Sequence, residues 1–302
     1  MNSERYPDHR DSQPSSFQGK SSFSLIECPR DAMQGWAHPI STADKVRYLN
    51  ALLGVGFDVL DFGSFVSPKA IPQLADTKLV IPQLQLNDRT KLLAIIANTR
   101  GAEEAVAYDE IHFLGFPFSI SETFQQLNTN KSIAESLRQV ADIQNLCAQR
   151  GKELVVYISM GFGNPYGDPY SAEIAINWVD KLSALGIGTF AMSDTVGVSN
   201  PENIDYIFSH LIPQFPELSI GAHFHSAHHN WREKMDAAYA AGCTRYDSAL
   251  KGIGGCPMAQ NELVGNMATE HVIDWCHDND IALQLNEAAL KEAMIIADAI
   301  FI

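Results

Sequence analysis

The stretch TFAMSDTVGVSNPENIDYIFSHLIPQFPELSIGAHFH, from Thr189 to His225, reads as a strand, a helix and a second strand. Its outer segments, Thr189–Asp194 and Leu218–His225, are short apolar runs that fit buried strands. Between them, the segment Pro201–Ile212 has apolar residues at helical spacing. Strands that alternate with helices in this way predict an α/β protein with a parallel sheet.

The same unit recurs along the chain. Strand-like runs cover Ser22–Cys28, Asp58–Gly63, Lys91–Ala97, Glu110–Phe116, Glu153–Met160, Thr189–Asp194, Leu218–His225 and Thr244–Leu250. Helical patterns cover Thr42–Phe57, with Thr42 as the predicted N-cap, then Ile133–Arg150, Ala172–Leu185, Pro201–Ile212, Trp231–Ala241 and a tail from Glu287. Eight strands followed by helices predict a (β/α)₈ TIM barrel, with its active site at the C-terminal ends of the strands. A doubly wound open sheet is the alternative, but no GxGxxG follows the first strand.

The composition narrows the class of protein. Of 302 residues, 46% are hydrophobic and 19% are charged, which is enough apolar material for a large core. The net charge of −15 argues against nucleic acid as a partner, and no apolar run is long enough to cross a membrane. The polar residues 1–20 predict a flexible leader before a single barrel domain over residues 21–302. The five scattered cysteines favour reduced thiols and a cytoplasmic protein.

Chemically useful residues follow the predicted strands. Arg30 and Asp31 come after the first strand, and His223 and His225 end the seventh. Residues two apart in a strand point the same way, so both imidazoles could bind one metal ion, although such pairs are more often structural. Asp31 and the later Asn266 could add oxygen ligands. Two nitrogens and two oxygens suit a divalent ion such as Mg²⁺ or Mn²⁺, whereas a structural zinc site would use several cysteines.

One cysteine lies in an unusual loop. Cys256 is part of GIGGCPMAQNELVGNMATE, which runs from Gly252 to Glu270 after the eighth strand. Its glycines permit close backbone approach, so the loop could fold over a ligand. A thiol there could donate or accept a proton, whereas the usual place of a free cysteine is the core.

Together these segments resemble the hydroxymethylglutaryl-CoA lyase family, one branch of the metal-dependent lyase and Claisen-type synthase barrels. The resemblance rests on PRDAMQ, SFVSPKAIPQ, SDTVGV, HFH and GIGGCPMAQ…GNMATE, in order from about Ser24 to the C-terminal helix. It implies metal-dependent cleavage of 3-hydroxy-3-methylglutaryl-CoA to acetyl-CoA and acetoacetate, as in leucine degradation. It also implies an acyl-CoA as the small-molecule partner and a homodimer.

The resemblance further implies roles for single residues. Asp31, His223, His225 and Asn266 would be the metal ligands. Arg30 would stabilise the enolate oxygen, and Cys256 would protonate the enolate carbon. The general base would be His223, with Asp31 as the second candidate. The residues matched to substrate binding are Gln34, Asp61, Ser64 and Asp194, of which Asp194 could equally be a loop cap.

The chain departs from the family pattern in several places. Asp61 stands where Glu is usual, so its contact with Arg30 or substrate is expected to include a water. The spacing from Cys256 to Asn266 is one residue longer than is usual. Three other functions remain open: a lyase for a related 3-hydroxy-3-substituted glutaryl-CoA, a Claisen-type synthase that joins acetyl-CoA to a 2-oxo acid, and a non-catalytic metal-binding barrel.

Overall fold

The structure is a computed structural model that describes residues 23–255 and 264–302. Eight parallel strands form its centre: β1 (Ser24–Glu27), β2 (Val59–Ser64), β3 (Lys91–Ile95), β4 (Ile111–Ser119), β5 (Glu153–Ser159), β6 (Thr189–Asp194), β7 (Ser219–Ser226) and β8 (Arg245–Ser248). Each strand pairs with the next, and β8 pairs with β1. The sheet therefore closes, and the predicted TIM barrel is confirmed. The predicted leader over residues 1–20 and the predicted acid Cys256 lie outside the described residues.

Helices surround the barrel. They are α1 (Pro29–Gln34), α2 (Thr42–Val55), α3 (Thr77–Val80), α4 (Thr99–Ala105), α5 (Glu122–Thr129), α6 (Ile133–Gln149), α7 (Ala172–Ser183), α8 (Pro201–Gln214), α9 (Trp231–Ala240), α10 (Thr269–Asp278) and α11 (Glu287–Ile300). None of these helices in the described ranges is long and apolar enough to cross a membrane. The N-cap of α2 is Ser41, and the prediction of Thr42 was wrong. Ser41 has an extended backbone and accepts a hydrogen bond from the Asp44 N–H, whereas Thr42 is already helical.

The core has an inner and an outer part. Between the strands and the helices lies the larger cluster, which includes Phe116, Phe190 and Phe208. The smaller cluster fills the barrel interior with the inward side chains Ile26, Cys28, Val59, Leu93, Ile95, Val155, Tyr157 and Ala191. Successive side chains of a strand face opposite ways. Asp61, two residues after Val59 on β2, therefore also faces inward. The barrel interior thus becomes polar toward the C-terminal ends of the strands.

A short strand that the sequence did not predict, β9 (Gly265–Asn266), follows the cysteine loop. It pairs antiparallel with β7, with Asn266 opposite His225. A Cβ at Gly265 would lie 2.2 Å from the Gly252 carbonyl oxygen, so only glycine allows this approach. The loop thus returns to the mouth of the barrel, beside the histidines.

Candidate active site at the C-terminal mouth of the barrel

The two histidines of β7 are held in defined tautomers. His223 Nδ1 lies 3.0 Å from Asp247 Oδ2, and His225 Nδ1 lies 3.0 Å from the Thr195 carbonyl oxygen. A carboxylate and a carbonyl can only accept, so both Nδ1 atoms must carry a proton. In the neutral rings both lone pairs are therefore on Nε2, the nitrogen that a metal ion would bind.

Asp31 and Asn266 complete the cluster from two other elements. Asp31 is on α1, directly after β1, and its carboxylate lies within 4.8 Å of the ligand atoms of His223 and His225. Asn266 Nδ2 donates to Asp31 Oδ2 at 2.8 Å and to the Ile253 carbonyl at 2.9 Å. Four residues from three separate parts of the chain therefore meet at one point.

The donor set fits a divalent cation. His225 Nε2 is buried and has no hydrogen-bond partner within the described ranges, which is costly unless another group binds it. Oxygen and imidazole ligands suit Mg²⁺ or Mn²⁺. A second cluster contains Cys28, His223 and Asp247. Burial raises the pKa of the Cys28 thiol well above its usual value, so this cysteine is a poor ligand.

Arg30 lies at the base of the cluster. Its Nε and Nη2 donate to Asp61 Oδ2 at 2.9 and 2.6 Å, and its Nη1 donates to Asp31 Oδ1 at 2.7 Å and to Gln34 Oε1 at 3.1 Å. Among the described residues, these bonds use four of the five guanidinium N–H groups, and one at Nη2 is left for a ligand. The Asp61 contact is direct, so the expectation of an intervening water at Arg30 was wrong. Asp61 is fully buried beneath the guanidinium and reaches it without a longer side chain.

The charges of the cluster stabilise one another. Burial would raise the pKa of Asp31, but Arg30 and the two histidines outweigh burial, and its pKa lies well below the usual range. Burial and the neighbouring His223 lower the pKa of His225, which favours the neutral ring that a metal requires. Burial also lowers the pKa of His223, but the hydrogen bond and charge of Asp247 outweigh burial and raise it, so a metal ion there would have to displace a proton. The cluster therefore holds a carboxylate beside one neutral imidazole, that of His225.

A cavity of about 440 Å³ opens onto this cluster. Arg30, Asp31, His223 and His225 form its polar end. Its apolar wall includes Val66, Ile71, Phe124 and Leu127. The lining suits a ligand that combines a charged, oxygen-rich group with an apolar part.

The comparisons with known proteins agree with this geometry. The model of the HMGL-like family matches residues 25–296, which is most of the chain. This chain belongs to the HMGL-like family. The resemblance predicted from its motifs is thereby confirmed.

Relatives of this HMGL-like protein carry consistent names. It is 32% identical to the hydroxymethylglutaryl-CoA lyase YngG of Bacillus subtilis, over 88% of each chain. It is 30% identical to a 3-hydroxy-3-isohexenylglutaryl-CoA/hydroxymethylglutaryl-CoA lyase of Pseudomonas aeruginosa, over 89% of each chain. A solved HMG-CoA lyase of Acinetobacter baumannii, in complex with coenzyme A and 3-methylmalate, superposes with a TM-score of 0.86. That comparison has 29% identity and covers 93% of this chain and 91% of the other.

The predicted substrate-binding residues of this HMGL-like protein fall in different places. Gln34 lines the cavity. Asp61, Ser64 and Asp194 are buried and are not among the residues that line it. Ser64 Oγ accepts from the Val66 N–H at 3.1 Å, within its own loop.

Asp194 is held by the loop that follows β6. Its carboxylate accepts from the Val198 N–H at 2.8 Å, from Ser199 Oγ at 2.5 Å and from Lys234 Nζ at 2.8 Å. Both Asp194 and Lys234 have fully buried side chains. These contacts agree with the alternative in which Asp194 caps its loop.

Two residues that bear on the site were missed by the sequence analysis. Asp247 fixes the tautomer of His223, and Arg245 in turn donates to Asp247 Oδ1 at 3.0 Å. Both face inward from β8. The sequence did carry a signal for them, because two charged residues stand at alternate positions of a strand that must be buried.

Gly254 fits closely against the cluster. It has a φ of +110°, and a Cβ there would lie 2.3 Å from Asn266 Nδ2 and 3.1 Å from the Asp31 carbonyl oxygen. Only glycine therefore allows the start of the cysteine loop to contact both predicted ligands.

Proposed function

We propose that this chain is a hydroxymethylglutaryl-CoA lyase, which cleaves 3-hydroxy-3-methylglutaryl-CoA to acetyl-CoA and acetoacetate. The observation that carries the proposal is the convergence of Asp31, His223, His225 and Asn266 beside Arg30 at the mouth of the barrel. The relatives named above support the same activity.

The proposed cofactor is a divalent cation, Mg²⁺ or Mn²⁺, held by Asp31, His223, His225 and Asn266. When bound, it would supply the positive charge that lowers the pKa of the substrate's tertiary hydroxyl. The Nδ1 contacts of the two histidines support this assignment, since they leave both Nε2 atoms for the ion.

Arg30 is proposed to stabilise the enolate oxygen that forms as the carbon–carbon bond breaks. Its fixed guanidinium, with one N–H left among the described contacts, is suited to a charge-assisted hydrogen bond to an oxyanion. Because Asp61 and Asp31 already orient it, little reorganisation is needed when charge develops. Cys256 is proposed to protonate the enolate carbon.

Two residues are candidates for the base that removes the proton of the substrate's tertiary hydroxyl. His223, the first candidate, has its Nδ1–H committed to Asp247, so it could accept a proton only at Nε2. The proposed ion would use the same nitrogen, and the two roles compete. Asp31 is the second candidate, although its depressed pKa makes it a weak base.

The deciding experiment is an assay of the purified protein with 3-hydroxy-3-methylglutaryl-CoA. Acetoacetate release that needs Mn²⁺ or Mg²⁺ and stops with chelator is expected. Cys256→Ser should keep metal affinity and lose most turnover, while Cys147→Ser, in α6 and not among the residues that line the cavity, should keep both. Consumption of acetyl-CoA with 2-oxo acids would instead indicate a synthase. Metal binding without turnover would indicate a scaffold.

A second substrate is favoured by one observation. The cavity that contains the charged cluster is also lined by the apolar residues Val66, Ile71, Phe124 and Leu127. Such a lining could hold a longer 3-substituent, as in the substrate named for the Pseudomonas aeruginosa relative. The kcat/KM for the isohexenyl substrate, divided by that for the methyl substrate, would measure how well the cavity accepts the longer substituent. A ratio far below 1 would restrict the enzyme to small substituents.

The remaining parts of the proposal concern context. We propose a cytoplasmic enzyme of leucine degradation that acts as a homodimer, with residues 21–302 as one catalytic domain. The four cysteines in the described residues are unpaired, which supports a reducing compartment. Size-exclusion chromatography with light scattering tests the dimer.

A further inference from the structure

We propose that Arg245 is a positioning residue for the metal ligand His223. Arg245 holds one oxygen of Asp247, which keeps this buried carboxylate ionised and turns its other oxygen toward His223 Nδ1 as an acceptor. The His223 lone pair is then kept on Nε2. This inference rests on the proposed metal site, but its NMR test below does not require metal.

The three side chains form a continuous buried relay. Arg245 Nη1 donates to Asp247 Oδ1 at 3.0 Å, and Asp247 Oδ2 accepts from His223 Nδ1 at 3.0 Å. Asp247 is 3% exposed and Arg245 is 8% exposed, so water competes little for these bonds. Each oxygen of the carboxylate has its own donor.

The strand register brings the relay together. β7 and β8 pair in parallel with His223 opposite Asp247. Arg245 is two residues before Asp247, so both side chains face the barrel interior. The relay therefore follows from the pairing of two adjacent strands, and no loop is needed to form it.

The neighbouring strand leaves space for the arginine. A Cβ at Gly221 would lie 2.8 Å from both Cγ and Nη1 of Arg245. Real Cβ atoms do not come so close, so a side chain at position 221 would displace the guanidinium. Gly221 is two residues before His223 on β7, on the same inward face. β8 thus carries Arg245, and β7 leaves space for its side chain next to the predicted metal ligand His223.

The hydrogen-bonding chemistry gives the relay its direction. Arginine has donors only, and an ionised carboxylate has acceptors only. His223 Nδ1 must therefore donate to Asp247, and Arg245 supports this tautomer by keeping the carboxylate ionised and oriented. The positive charge of Arg245 also balances the buried carboxylate, which would otherwise be costly in the barrel interior.

The substitution Asp247→Asn distinguishes this proposal from a role of Arg245 in packing alone. With Arg245 present, the amide must turn its oxygen to the guanidinium and its NH₂ to His223. Nδ1 would then accept, and the proton would move to Nε2, where it blocks a metal ion. Without the arginine, the amide is free to turn its oxygen to His223 and restore the original tautomer.

The experiment compares Asp247→Asn with the double variant Arg245→Met/Asp247→Asn. Mn²⁺ affinity is measured by calorimetry, and the His223 tautomer by ¹⁵N NMR of metal-free, histidine-labelled protein. D247N is expected to weaken Mn²⁺ binding about 10–100-fold and to place the proton on Nε2. The double variant is expected to recover most of the affinity and the Nδ1 proton. Arg232→Met, which removes an exposed ion pair with Asp278, is the control and should change neither.

The outcomes are distinct. Equal Mn²⁺ affinity and equal tautomers in D247N and the double variant would overturn the role of Arg245. If the wild type binds no Mn²⁺, the metal proposal fails, but the tautomers still test the relay. Should D247N not fold, the wild-type spectrum of the neutral ring, recorded above the pKa of His223, decides: a proton on Nε2 with Nδ1 unprotonated would contradict the proposal.

Discussion

Asn266 lies opposite His225 in the antiparallel pairing of β9 with β7, so the far end of the cysteine loop is joined to the strand that carries both histidines. Asn266 also donates to Asp31, on the opposite side of the cluster. One residue therefore belongs both to the predicted metal site and to the end of the loop that bears Cys256. Changes in one are expected to alter the other.

The first prediction concerns this junction. Gly254→Ala would put a methyl group 2.3 Å from Asn266 Nδ2 and would strain a backbone at φ +110°. We expect Asn266 to be displaced, with at least a tenfold loss of kcat/KM and weaker Mn²⁺ binding. Gly188→Ala is the control, because nothing lies within 4 Å of a Cβ at that position. Normal activity in G254A would show that the close fit does not matter.

The second prediction concerns His225. His225→Gln removes the imidazole Nε2 and the Nδ1 hydrogen bond to the Thr195 carbonyl, so Mn²⁺ affinity should fall at least tenfold and the melting temperature should fall modestly. Calorimetric titration and thermal melts measure both. The exposed His229→Gln should leave both unchanged. Unaltered Mn²⁺ binding in H225Q would remove His225 from the ligand set.

The third prediction concerns the buried Glu27. It accepts from the Leu250 N–H at 2.8 Å and from Thr269 Oγ1, and so joins both ends of the cysteine loop. Burial raises its pKa from 4.5 to about 8. The stability that its neutral form contributes is complete below about pH 4.5 and is lost as the pH rises through 8.

Glu27→Gln should therefore flatten the pH dependence of stability. A glutamine can accept from Leu250 and donate to Thr269, so both contacts survive the substitution. Denaturation between pH 5 and 8 should give a free energy of unfolding that falls less steeply than in wild type, by up to about 1.4 kcal/mol per pH unit. Glu217→Gln, at an exposed site, should keep the wild-type slope. Identical slopes in E27Q and wild type would show that Glu27 is ionised when folded.

The fourth prediction concerns the ion pair of Lys234 and Asp194. Both side chains are fully buried at a separation of 2.8 Å. Lys234→Met would leave a buried carboxylate without its cation and should cost about 3–5 kcal/mol of stability. Lys234→Met/Asp194→Asn should recover part of this loss, and the exposed Lys291→Met should cost almost nothing. Urea denaturation measures all three, and a double variant as unstable as K234M would argue against charge as the cause.

Much of this architecture could be predicted from the sequence, since most of the barrel strands are runs of apolar residues. The predicted strand Thr189–Asp194 matches β6 at both ends. The helix α1 was missed because PRDAMQ has too few residues to show a helical period. β9 was missed for a similar reason, since two residues carry no alternation and their pairing depends on β7.

Part of the candidate site could also be predicted from the sequence, and part could not. Convergence of Asp31 with the histidines was predictable because parallel strands in a barrel end on one face. The role of Asp247 was not, because it depends on which residues lie opposite each other across β7 and β8. The direct contact of Asp61 with Arg30 depends on depth in the barrel, which residue type alone does not give.

The close approach of Gly221 to Arg245 has an evolutionary consequence. Neither position can change alone at low cost: a larger residue at 221 would clash with the guanidinium, and a smaller one at 245 would leave a void and an unbalanced carboxylate. A Cβ at position 221 would also lie 2.8 Å from the backbone carbonyl oxygen of residue 245, which a shorter side chain there would not remove. Across homologous sequences position 221 should therefore remain glycine even where position 245 differs.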